Sequence, residues 1–219
     1  MKQISDVVHI LRSYAKLSLL TRLFIIIRYL VCPWDIILYY LKESGKILDF
    51  GSGHGLLLHL ALKRFPNLYC TGLDHDQRKI EAASKSTTRK NLTFISTTEI
   101  GCLIPASFDF VIIVDVLYSV PTDRWHEILS QASTYLKPEG IIIVKETVNT
   151  PRWKYCICWL QEMIAIRVLK YTKGNSPQIM SADYYLKQLV ASHFVIEEHR
   201  RIDSGYLWPH YIFVGKKGD

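Results

Sequence analysis

The sequence predicts an α/β fold, with one mostly parallel sheet of seven strands and helices on both faces. Three observations carry this. From position 46 onward, short apolar runs alternate with segments of helical period, the pattern of strands joined by crossover helices. The run "FDFVIIVDVL" (108–117) is apolar at both alternating sets of positions, so both faces of the sheet must be covered. The last two strand-like runs are separated only by Asp203 to Pro209, too short for a crossover, so the seventh strand must turn back antiparallel to the sixth.

The elements follow in order. Residues 1–44 read as an N-terminal helical cap. Within it "LSLLTRLFIIIRYLVCPW" (17–34) has the look of a signal or a membrane span. Arg22 and Arg28 interrupt it, its longest uncharged stretch is too short for about 30 Å of hydrocarbon, and no small-residue cleavage site of the usual form follows. Two readings stay open: apolar helices packed on the domain, or helices lying in a membrane interface. Arg12, Lys16, Arg22 and Arg28 do not share one helical face, which counts against the second.

Residues 45–149 read as a cofactor-binding core. Its strands are "KILDF" (46–50), "LYCTGLD" (68–74), "LTFIS" (92–96), the run 108–117 and "GIIIVKE" (140–146). Helices over 53–65 and 77–86 connect the first three strands. A third helix, capped by Thr122, runs to Tyr135 and ends at Lys137-Pro138-Glu139-Gly140.

Residues 150–180 read as a helical insert, with Thr150 as N-cap and Pro151 at the first helical position. Trp153, Ile157, Leu160, Ile164, Val168 and Tyr171 recur every three or four residues and form an apolar stripe. A helix inserted after a strand's C-terminal end lies over the ligand crevice, so the insert is expected to act as a lid as well as a core helix. Residues 181–219 supply a last helix (181–193) and the strands 194–202 and 210–217. No repeat or linker divides the chain, which reads as one domain.

With 219 residues, 49% of them apolar and 12% aromatic, the chain can bury one substantial core. The formal charge of +7 suits an anionic surface, but no basic run is interleaved with stacking aromatics, so nucleic acid is not expected as a partner. The five cysteines are scattered and odd in number, which argues against a disulfide framework and for a reducing, cytoplasmic compartment, with peripheral membrane contact as the variant. Cys156 and Cys158 fall on different sides of a helix, so no metal site is expected.

The glycine-rich stretch "ILDFGSGHG" (47–55) follows the first strand. In the dinucleotide fingerprint the third glycine comes three places after the second, whereas Gly55 comes two places after Gly53. No Gly-Lys-Ser/Thr follows, which excludes a P-loop. Asp49 is badly placed beside a pyrophosphate and well placed beside a cation. Asp74, at the end of the second strand, can accept hydrogen bonds from both hydroxyls of a ribose. A ribose, no phosphate and a positive end describe S-adenosylmethionine.

On these residues the sequence resembles the class I S-adenosylmethionine-dependent methyltransferases, whose fold is Rossmann-like. The matching segments are "ILDFGSGHG", "GLDHD", "SFDFVIIVDVLYSVP" and "YLKPEGIIIVKE", in the family's order over residues 45–146. The resemblance implies that the reversed seventh strand lies between the fifth and sixth. It also implies that the loop Gly51, Ser52 and Gly53 approaches the methionine part of the cofactor, with Asp49 near its amino group. Asp74 would hold the ribose, His75 would lie by the adenine, and Asp115 would close the pocket. Family members often carry an adenine-binding acid after the third strand; here Thr97 or Thr98 stands at that place, with Glu99 close by.

Methyl transfer needs alignment and exclusion of water, and a base only where the acceptor is protonated at working pH. In this topology the hairpin "SGYLWPHY" places Tyr206, Trp208 and His210 toward the acceptor. His210 is the candidate base, against a structural histidine of the turn. Tyr118 is a candidate substrate wall or proton carrier, against an aromatic packed on the next helix. His54 is a helix-start residue. The apolar cap and insert favour a small hydrophobic or lipid-like acceptor. Arg152, Lys154, Arg167, Lys170 and Lys173 face an acidic carrier, membrane headgroups or plain solvent. Two other functions stand beside this one: a methyltransferase-fold scaffold without turnover, and an NAD-dependent oxidoreductase.

Overall fold

The computed structural model describes residues 2–164 and 177–218. Seven strands form one sheet: β1 (Ser44–Phe50), β2 (Asn67–Asp74), β3 (Leu92–Ser96), β4 (Phe108–Val114), β5 (Leu136–Thr147), β6 (Phe194–Arg201) and β7 (His210–Lys217). Their order is β3-β2-β1-β4-β5-β7-β6, with β7 antiparallel to both neighbours and every other pair parallel. The reversed strand therefore lies between the fifth and sixth. β1 pairs with β2 on one side and β4 on the other. The chain leaves β1 toward one half of the sheet and serves the other half from β4, which opens a crevice at the C-terminal ends of these two strands.

Alternation along the strands divides the core into two layers. Ile47, Phe110, Ile112, Ile143 and Ile212 face one layer, completed by helices α1 (Lys2–Ser13), α2 (Leu19–Val31), α3 (Trp34–Tyr39), α4 (Leu56–Arg64) and α5 (Gln77–Lys85). Leu48, Val111, Ile113, Val144 and Phe213 face the other, against α6 (Trp125–Tyr135) and α8 (Ala182–Ala191). There the Trp125 and Tyr185 rings stack with centroids 4.8 Å apart. Ser18 caps α2 by accepting from the Thr21 amide. Ile10, Tyr14 and Ile25 are buried in the first layer, so the N-terminal helices pack on the domain through their inner faces.

Three boundaries differ from the sequence expectation. β4 stops at Val114 because Asp115 takes a left-handed backbone with φ of 56°, which a strand cannot continue through. β5 begins at Leu136, opposite Phe108, and a bulge between Phe108 and Phe110 keeps the segment 137–140 inside the strand where a turn was expected. The Thr150–Pro151 peptide is cis and helix α7 (Arg152–Ile164) starts one residue later, so Pro151 precedes the helix. The later part of the expected stripe, Val168 and Tyr171, with Arg167, Lys170 and Lys173, lies outside the described residues.

Candidate cofactor and active site

The chain leaves β1 through three left-handed glycines, Gly51 (φ 87°), Gly53 (φ 56°) and Gly55 (φ 78°). The amides of Gly51 and Ser52 both donate to the Leu73 carbonyl, at 2.7 and 2.9 Å, which fastens the loop to the end of β2. A Cβ on Gly51 would lie 2.3 Å from Val116 Cγ2, and one on Gly55 2.3 Å from Phe94 Cζ. A Cβ on Gly53 would meet nothing within 4 Å. Gly51 and Gly55 are thus demanded by packing as well as by φ, and Gly53 is the loop glycine that faces open space.

Asp74 is fixed from both sides. Its Oδ2 accepts from the Gly53 amide and its Oδ1 from the Asp76 amide, each at 2.8 Å. A carboxylate has about four lone-pair sites, so both oxygens keep capacity for two ligand hydroxyls. The buried Ser52 hydroxyl has no partner, a donor held ready in the cradle. Asp49 is 3% exposed, and among the described residues its carboxyl has no hydrogen-bond or ion-pair partner. Burial first, and then the charge of Asp74, push its pKa up to about 8. Such a group ionises readily only when a cation arrives. The loop, the two acids and the free hydroxyl fit a ligand with an ammonium and a ribose.

A second polar cluster lies across the crevice. Asp115 Oδ2 is 2.6 Å from Arg28 Nη2, and its two oxygens are 2.7 and 2.6 Å from Lys145 Nζ. Burial works against its charge, but Lys145 and Arg28 outweigh this and hold Asp115 well below the usual carboxylate range. The next residue on β5, Glu146, points to the other layer and accepts from the amides of Val116 (3.0 Å), Leu117 (2.9 Å) and Tyr118 (3.4 Å). It clamps the turn that carries Asp115 and Tyr118. Lys145 and Glu146 are both fully buried.

Arg28, Lys145 and Glu146 were missed as site residues by the sequence reading. A Lys-Glu pair at the end of the buried run Ile141–Val144 was the available signal, since fully buried charges require partners. In the sequence Arg28 is an interruption of an apolar segment, off the face of the other N-terminal cations.

His210, at the start of β7, is 2% exposed. Its Nε2 is 2.7 Å from the Val31 carbonyl, which can only accept, so Nε2 carries the proton and Nδ1 is the bare nitrogen. That Nδ1 is buried without a partner. Burial first, and then the Lys145 charge, lower the pKa to about 3. Such an imidazole can accept a hydrogen bond but holds a proton poorly at neutral pH, which counts against the general-base expectation.

The remaining expected residues are spread around the crevice. His75 is largely exposed, with Nδ1 3.5 Å from Asp74 Oδ1. Thr97 opens a short 3₁₀ helix (Thr97–Cys102), and Glu99 Oε2 is engaged by the Ser96 amide in a capping box. Tyr118 sits on the turn held by Glu146, and its carbonyl accepts from the Gln178 amide at 2.6 Å. The Tyr206 ring meets His210 edge-on at 5.5 Å and lines a cavity of about 550 Å³ together with Tyr29, Leu30, Cys32, Trp34, Leu38 and Leu60. Gln3, Asp6, Asp35, Lys63 and Arg64 lie at its polar parts. Lys154 does not face a partner or solvent as expected. It donates to the Asp203 carboxylate and to the carbonyls of Asp203 and Tyr206, tying α7 to the β6–β7 hairpin.

The roof of the loop comes from the N-terminus. The Tyr14 hydroxyl donates to the His54 carbonyl at 2.8 Å, the Phe24 ring lies 5.8 Å from the His54 ring, and Arg28 reaches Asp115. Among the described residues no helix is long and apolar enough to cross a membrane, and no group of three or more His, Cys, Asp or Glu is placed to hold a metal.

A reversed seventh strand, a glycine loop at the switch point and paired acids at the ends of β1 and β2 define a class I methyltransferase fold. Residues 48–142 match the methyltransferase domain family. Compared with curated proteins, the chain has no match in sequence. Three solved structures show the similarity of fold. A SAM-dependent methyltransferase of Methanosarcina mazei has 20% identity and a TM-score of 0.65, covering 86% of this chain and 98% of the other. Human N-acetylserotonin methyltransferase with bound SAM has 17% identity and a TM-score of 0.63, covering 85% and 52%. Geranyl diphosphate C-methyltransferase of Streptomyces coelicolor, with Mg2+, geranyl diphosphate and S-adenosyl-L-homocysteine, has 12% identity and a TM-score of 0.65, covering 84% and 78%. The methyltransferase domain match over residues 48–142 and the shared fold support a class I S-adenosylmethionine-dependent methyltransferase, with S-adenosylmethionine as the cofactor that such a domain uses.

Proposed function

We propose that the protein transfers a methyl group to a small hydrophobic or lipid-like acceptor bound beside the Asp115 cluster. When bound, S-adenosylmethionine supplies an electrophilic methyl on its sulfonium. The chain's own residues then have to hold that ligand, orient the acceptor and exclude water. In this reading Asp49 takes the ammonium and Asp74 the ribose hydroxyls. Gly51, Ser52 and Gly53 give the close approach, His75 and Thr97 border the adenine, and Asp115 closes the far wall. Lys145 alone balances the charge of Asp115, so Arg28 leaves net positive charge for the carboxylate end of the ligand.

The observation that supports the acceptor class is the cavity at Tyr206 and Trp34, whose lining includes Tyr29, Leu30, Leu38 and Leu60 beside the polar Gln3, Asp6, Asp35, Lys63 and Arg64, and which reaches Cys32, close to the charges of Lys145 and Arg28. His210 Nδ1 would accept a hydrogen bond from the acceptor, and Tyr118 would form part of its wall. The similarity of fold to a geranyl diphosphate C-methyltransferase, whose acceptor has an apolar chain, is consistent with this class.

Release of S-adenosylhomocysteine measured over a panel of apolar phenols, prenyl alcohols, sugars and nucleosides tests the reading. Turnover is expected with the apolar members. Turnover confined to sugars or nucleosides would overturn it, as would calorimetric binding of NAD without binding of S-adenosylhomocysteine.

A further inference from the structure

An amphipathic helix on a water-soluble domain turns its apolar stripe inward and its polar stripe outward. Helix α2 carries apolar side chains on its outer side as well as its inner one. Its inner side carries Arg28 to Asp115 and buries Ile25. Its exposed side chains are Leu19, Leu20, Leu23, Phe24, Ile27 and Leu30, all apolar. Leu19 is 77% exposed and Leu20 71%, while Phe24 at the edge of the stripe touches His54. The spacing of these positions places them along one face over the whole length of the helix. On α1 a second row, Ile4, Val8 and Leu11, is also exposed. Arg12 and Lys16, both exposed, lie at the end of α1 and in the connection between the two rows.

We propose that this face docks on an anionic lipid bilayer, with α2 lying in the plane of the interface and Arg12 and Lys16 against the headgroups. A helix of 13 residues is about 20 Å long and cannot span the hydrocarbon, but an apolar stripe flanked by cations is what an interfacial helix presents. A second copy of the chain is the poorer occupant. Two copies of a chain that carries +7 repel each other, whereas an anionic surface attracts it. Because α2 also roofs the glycine loop, docking would set the mouth of the crevice at the membrane surface. The proposal concerns a surface and does not depend on the acceptor assigned above.

The test is cosedimentation of the full chain with vesicles of phosphatidylcholine alone or with about 30% phosphatidylglycerol, at about 0.1 and 0.5 M salt. Binding is expected to the anionic vesicles and to fall about tenfold or more without the anionic lipid or at high salt. L20E/L23E is expected to lower binding at least about tenfold, and R12E/K16E to remove the dependence on anionic lipid. Unchanged circular dichroism and S-adenosylhomocysteine affinity establish that both variants fold. Absence of wild-type binding to anionic vesicles overturns the proposal, as does an L20E/L23E variant that binds like wild type. A wild-type dimer in solution that L20E/L23E breaks, without vesicle binding, would assign the face to a second copy.

Discussion

Asp49→Asn tests how the crevice recognises its ligand. Raising a carboxyl from its ordinary 3.8 to about 8 corresponds to roughly 6 kcal/mol against the ionised form. The free protein at pH 7 therefore holds Asp49 mostly protonated, and an ammonium bound there displaces that proton. The apparent affinity for S-adenosylhomocysteine is expected to rise about tenfold per pH unit between pH 6 and 7, and to level off near pH 8. The asparagine variant keeps an oxygen acceptor but loses the charge, at a cost of about 2–3 kcal/mol where wild-type Asp49 is ionised.

The variant should thus bind about fiftyfold more weakly than wild type at pH 8, about tenfold at pH 7, and about equally at pH 6. Isothermal titration in buffers of different ionisation enthalpy measures both the affinity and the proton released. Methylthioadenosine, which lacks the ammonium, should show neither the pH slope nor the effect of the substitution. Stability moves the other way. The folded protein holds the proton more tightly than the unfolded chain, so wild type loses stability as pH rises from about 4 to about 8, and Asp49→Asn removes that loss. An Asp49→Asn variant that binds S-adenosylhomocysteine as tightly as wild type at pH 8, with the same pH slope, would refute the assignment of the ammonium to Asp49.

Asp74→Asn is expected to weaken both S-adenosylhomocysteine and methylthioadenosine by about ten- to a hundredfold, because the ribose is common to them; loss of one alone would misplace the ribose. Lys154→Met releases α7 from the hairpin, so turnover should fall while S-adenosylhomocysteine affinity stays within about twofold of wild type; a main effect on affinity would make α7 part of the cofactor site. His210→Asn should change turnover without removing an inflection near pH 6.5, since burial and Lys145 hold His210 at about 3. A wild-type limb near pH 6.5 that vanishes in this variant would restore His210 as a base.

The sheet was legible because it rests on period and loop length. The run 108–117 announced a covered central strand, and the seven residues from Asp203 to Pro209 allowed only a hairpin. The cofactor half of the site was legible for a related reason. Its residues sit at strand ends that local sequence identifies, and Asp49 and Asp74 differ in chemistry from what a dinucleotide needs. The other half was not legible, because Arg28 lies 87 positions from Asp115, and nothing local in "FIIIRYL" tells which way the arginine turns. The same gap hid the low basicity of His210, which comes first from its burial and then from Lys145 on another element, neither of which the residues around it in the chain announce.

Helix α2 shows why a single segment supported two readings in the sequence. A packed helix and an interfacial helix both need an apolar stripe, and residues 19–31 have enough apolar positions for two. Ile25 supplies the inward one, and the leucines from Leu19 to Leu30 supply the outward one. Arg28 then decides the orientation. Asp115 is 3% exposed, and its pairing with Arg28 holds the arginine's side of the helix toward the crevice. The Arg28 side chain reaches Asp115 at 2.6 Å beside the second contact from Lys145, and a helix turned the other way would lose that contact. The charge inside thus keeps the apolar face outside.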